Sequence, residues 1–133
     1  MKILLLVLVL MCSTLLGDEM TIYTEGRQYS TIDSDGEMTN TGFTEDRSKW
    51  YFGETPTYFI HNTSSGSVKE STYWISDGSM EDEEGGVTCI ATSDAGNTRR
   101  FYFLESAVII ILNSYDDGSK DIVTFKVKNI ITK

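Results

Sequence analysis

Apolar and polar positions alternate along much of this chain, and no stretch carries the 3.6-residue period of a helix. Residues 87–92 alternate with Val87, Cys89 and Ala91 on one face and Thr88, Ile90 and Thr92 on the other. Residues 93–97 supply turn chemistry, with Gly96 able to take positive φ. Thr98–Leu104 alternates again, Phe101 and Phe103 sharing a face opposite Tyr102 and Leu104. Two such runs across a short turn predict a β-hairpin. A second hairpin is predicted at the C-terminal end. Residues 107–112 are apolar on both faces, which implies a fully covered strand or a dimer surface. Residues 115–119 form a turn. Residues 122–131 then alternate, with Val123, Phe125 and Val127 inward and Thr124, Lys126 and Lys128 outward.

The rest of the pattern is weaker. Residues 20–32 supply one or two opening strands, and residues 33–46 read as a loop or weak strand. Residues 50–60 read as strand, turn and strand, and residues 68–76 as the next strand. The single proline, Pro56, belongs on an edge or in a loop. The acidic run at residues 81–84 reads as a solvated turn, since it lacks the alternating oxygen spacing of a calcium loop. The predicted class is all-β.

Residues 1–17 stand apart. A basic start, an unbroken apolar run and small residues ending at Gly17 predict a secretory signal peptide, too short to span a membrane. Residues 18–133 are then one domain, and the expected location is secreted and extracellular. Of the 133 residues, 20 are Asp or Glu and 11 are Lys or Arg, for a formal net charge of −9. No acidic residue lies in the leader. That surface argues against nucleic acid and anionic membrane as partners.

Candidate chemistry is sparse. The one histidine, His61, does not sit at a spacing that suggests a catalytic triad or a zinc site. No catalytic group, cofactor or metal site is predicted. Asn62-Thr63-Ser64 is an N-glycosylation acceptor in a loop-forming context. Cys89 is the only cysteine outside the leader, so it is either a buried thiol or an intermolecular disulfide, with burial favoured by its strand face. Arg99-Arg100 reads either as an exposed pair that anchors an acidic partner or as two solvated strand residues.

The pattern Gly85-x-Val87-x-Cys89-x-Ala91-Thr92-Ser93-x-x-Gly96 resembles the F–G hairpin of an I-set immunoglobulin domain. Lys49-Trp50-Tyr51-Phe52-Gly53 is similar to the strand that carries the core tryptophan of that family, and residues 71–76 to its strand E. The chain departs from the family in lacking a partner cysteine near Gly36 to Met38 and the tyrosine expected at Val87. The resemblance implies an antiparallel β-sandwich over residues 18–104, with residues 105–133 an additional hairpin. Trp50 and Cys89 would be its structural core. It implies a secreted binding module that recognises an extracellular protein ligand or receptor, as a soluble decoy or immune modulator. Homodimerisation would run through Cys89 or the C-terminal hairpin. A second resemblance is to lipocalins: Ser48-Lys49-Trp50-Tyr51 is similar to their first-strand tryptophan segment, and Asn113-Ser114-Tyr115-Asp116 to their second motif. That resemblance implies a small β-barrel carrying an apolar ligand. The two differ in where residues 107–112 pair: a barrel requires them between their sequence neighbours, a sandwich does not.

Overall fold

The computed structural model describes residues 19–53, 57–64 and 69–132. The leader assigned to residues 1–17 and the placement of Pro56 lie outside the described residues. Among the described residues ten strands run in order: β1 (Met20–Ile32), β2 (Met38–Asn40), β3 (Thr44–Phe52), β4 (Tyr58–Thr63), β5 (Glu70–Ile75), β6 (Glu81–Glu83), β7 (Gly86–Ser93), β8 (Thr98–Leu104), β9 (Ala107–Ser114) and β10 (Lys120–Thr132). No helix occurs among the described residues.

Alternation makes these strands, and full pairing closes them. From β1 the sheet runs through β3, β4, β5, β7, β8, β9 and β10, and β10 returns to β1. All of these pairings are antiparallel. Eight strands therefore form a closed up-and-down barrel in which each has a neighbour on both sides. β2 lies beside the far end of β1, and β6 beside the start of β7, each extending the line of its sequence neighbour.

This arrangement corrects the expectation of a two-sheet sandwich. The hairpin over residues 105–133 is not an addition to a finished domain. β9 sits between β8 and β10, and β10 pairs along β1 from Met20↔Thr132 to Ile32↔Lys120. The physical reason lies in β1 and β10, two matched strands of 13 residues that satisfy each other's open edges. The hairpin also offers no edge to a second chain. Only its outer face, with half-buried Ile109 and Ile111, remains for dimerisation. The acidic run is corrected too: residues 81–83 are β6, paired with β7, and the turn shrinks to Glu84 and Gly85.

The hairpins over residues 87–104 and 107–131 form as predicted. The β7–β8 turn closes with Gly96 N–H donating to the Ser93 carbonyl at 2.9 Å, and Gly96 has φ of 90°. Inward residues of all eight barrel strands meet in one core. Trp50 is fully buried, with Phe125, Phe103, Phe59 and Phe101 ring centroids 5.2 to 6.5 Å away. Phe52, Phe59 and Tyr73 continue the ring packing. Burying each such side chain contributes roughly 1.5–3 kcal/mol. The barrel interior is thus a packed aromatic core.

Two bulges interrupt β1 and its partner. Glu25 pairs with Lys126 while Arg27 pairs with Phe125, so Gly26 is the extra residue, at φ of 71°. Tyr23 pairs with Asn129 while Thr24 pairs with Val127, so Lys128 is the extra residue of β10. The first bulge turns Arg27 toward the interior. The second leaves Lys128 and Asn129 on the outer wall opposite Tyr23.

Candidate functional site

Two polar constellations arise from this framework, one inside the barrel and one on its wall. The inner one begins with the period-two spacing of β3, which puts Asp46, Ser48 and Trp50 on the inner face, all buried. Cross-strand pairing sets Thr24 and Thr63 beside Ser48, and Ile22 and His61 beside Trp50. Asp46 is 1% exposed and accepts hydrogen bonds from Ser48 Oγ at 2.5 Å, Thr63 Oγ1 at 3.0 Å and Arg27 Nη1 at 3.2 Å. His61 Nε2 lies 2.9 Å from Ser48 Oγ. The imidazole stacks on Trp50 with centroids 3.7 Å apart, and Trp50 Nε1–H donates to Thr24 Oγ1 at 3.1 Å.

Aspartate, serine and histidine therefore meet, although spacing alone did not suggest it. Their order decides the chemistry. Ser48 has one hydroxyl hydrogen, and the short bond commits it to the Asp46 carboxylate. His61 must then donate Nε2–H to Ser48 Oγ. A nucleophilic serine needs the opposite arrangement, with imidazole accepting from the hydroxyl and carboxylate holding the imidazole. Burial holds His61 neutral by lowering its pKa to about 4, against the opposing pull of Asp46. The network is suited to locking β1, β3 and β4 together. Its polar inward residues hide it, because apolar alternation in this stretch starts only at Trp50. Extending the alternation back through Ser48 to Asp46, and along Phe59, His61 and Thr63, was the available signal.

The outer constellation is a depression of about 400 Å³ where β10, β1, β3 and β4 lie side by side. Alternation places Tyr23 and Glu25 of β1, Arg47 and Lys49 of β3, Asn62 of β4 and Lys128 of β10 on this wall. Arg47 and Ser64 fix the rim through paired bonds: Ser64 N–H donates to the Arg47 carbonyl at 3.0 Å, and Arg47 N–H to Ser64 Oγ at 3.1 Å. A neighbouring depression of about 370 Å³ adds Lys126 and Glu45 to Arg47 and Glu25.

Trp50 and Cys89 are both fully buried in the core. Burial pushes the Cys89 thiol up to about 12 and withdraws it from the surface, the buried thiol of the two expected alternatives. Asn62 lies in β4, half-buried in the outer depression, and not in a loop as expected. Arg99 and Arg100 do not act as a pair, because adjacent strand residues face opposite ways. Arg99 shares the inner side with Phe101, while Arg100 donates to Thr88 Oγ1 at 3.1 Å on the outer wall. Among the described residues no group of three His, Cys, Asp or Glu side chains converges on a metal position. Trp74, 55% exposed, sits on the outer wall against Tyr58. Compared with protein-family models, characterised proteins and solved structures, the chain matches none.

Proposed function

We propose that this chain is a secreted binding module that engages an extracellular macromolecule through the outer wall of a solid barrel. The observation that supports it best is the filled interior, where Trp50, Phe59, Phe101, Phe103 and Phe125 occupy the space in which a carrier would hold its ligand. A small-molecule carrier needs a cavity of roughly 300–1,000 Å³ lined by apolar groups. The inner polar network weighs in the same direction, since its serine hydroxyl is engaged by a carboxylate and shielded from solvent. What remains for recognition is the wall, with its cationic depression and the exposed Trp74. The role of recognition module is retained from the sequence reading, while its scaffold is a barrel in place of a sandwich. Secretion rests on the leader at residues 1–17.

Native mass spectrometry of the protein secreted by cells, without reduction, tests this reading. The expected species is the polypeptide alone or with a glycan at Asn62. A discrete additional mass of a few hundred daltons, lost on denaturation, would overturn it in favour of a carrier.

A further inference from the structure

The outer depression gathers positive charge in a protein that has little. Arg47 and Lys49 of β3 and Lys126 and Lys128 of β10 flank β1 on both sides. Among the described residues the carboxylates on this stretch of wall are Glu25, in register with both Arg47 and Lys126, Glu45, and Glu70 beyond Asn62. None of the four cations has an ion-pair partner among the described residues, in a chain where acidic residues outnumber basic ones by 20 to 11. Two ordinary explanations for strand lysines fail here. They are not edge guards, because β1, β3 and β10 each have neighbours on both sides. Among the described residues they are not held in surface ion pairs either. The bulge at Lys128 is a further sign of construction, since it places Lys128 on the wall opposite Tyr23.

The spacing and the neutral groups indicate the ligand. The two cationic rows stand two strand spacings apart, about 10 Å, and residues within a row about 7 Å. One inorganic anion cannot span both rows, whereas a chain of charged sugar units can. Tyr23 lies half-buried between the rows and offers an aromatic surface, and Asn62 and Ser64 offer neutral partners for hydroxyl groups. An acidic peptide commonly binds by adding to a sheet edge, and this wall has none.

We propose that this depression binds an acidic carbohydrate, with its sulfate or carboxylate groups held by Arg47, Lys49 and Lys128 and a sugar ring against Tyr23. The inference rests on the outer-wall reading above and names the class of its partner.

The test uses protein from a host that does not glycosylate Asn62, titrated with a fluorescent heparin hexasaccharide. Saturable binding that weakens with salt is expected. The exposed double variant Lys49→Glu/Lys128→Glu should weaken it by about tenfold or more, with an unchanged melting temperature. Lys120→Glu, on another face, should leave it unchanged. Lys49→Gln/Lys128→Gln, which adds no negative charge, should also lose affinity, and serves if the reversal variant unfolds. Undiminished binding by the folded double variants, or no saturable binding by the parent, would overturn the proposal. Equally tight binding of polyglutamate of matched charge would overturn the carbohydrate assignment in favour of an acidic polypeptide. These failures differ from that of the outer-wall reading, which a small molecule retained inside the barrel would overturn.

Discussion

At the scale of single residues, the inner network makes the protein sensitive to pH. Between about pH 6.5 and pH 4, an unfolded His61 takes up a proton that the folded His61 does not. The unfolded state therefore binds more protons in this window, so stability is fully present above it and is lost as pH falls through it. The loss is on the order of 3 kcal/mol. Urea unfolding across this range should show the midpoint falling with pH, and His61→Gln should flatten that slope. Asp46→Ala should cost about 3–5 kcal/mol, because it removes the buried carboxylate to which Arg27, Ser48 and Thr63 all donate; chemical denaturation measures this directly. Cys89 provides a third check at this scale. Its buried, poorly ionised thiol should resist iodoacetamide at pH 8 until denaturant is added.

At the scale of elements, the claim that matters is that β9 and β10 belong to the barrel. A chain ending at Leu104 leaves β1 and β8 each with an open edge and removes Val108, Ile110, Val123 and Phe125 from the core. It should show no cooperative thermal transition and poor amide dispersion. A sandwich complete at Leu104 would instead keep a sharp transition. Much of the element pattern was legible in the sequence. The alternation over residues 87–104 and 107–131 reports which side chains face inward, because a strand buried on one side must alternate. Closure entered only as the small β-barrel that the second resemblance implied, and the position of β9 between β8 and β10 favours that alternative over the sandwich. The pairing of Tyr29 with Val123 joins residues far apart in the chain and leaves no local mark on either segment. The opening of β3 was obscured for another reason. Asp46 and Ser48 are inward but polar, so the apolar alternation breaks where the strand continues. At Gly26 and Lys128 the bulges shift the period by one residue, which further blurs β1 and β10.

At the scale of the whole molecule, the proposed function separates stability from recognition. The interior of the barrel supplies the core, and its outer face carries Arg47, Lys49, Lys126 and Lys128. Function was accordingly the least legible property. The cations that build the depression come from residues 47, 49, 126 and 128, which only the β10–β1–β3 pairing brings together. The arginine pair that stood out in the sequence is divided between the two faces of β8. The claim that binding belongs to the wall is tested most directly by heteronuclear NMR of the labelled protein during titration with the heparin hexasaccharide. The account predicts shift changes at Tyr23, Lys49, Asn62 and Lys128, with the amides of Phe101, Phe103 and Val108 unmoved. Changes centred on those core residues, with Tyr23, Lys49, Asn62 and Lys128 unperturbed, would contradict it.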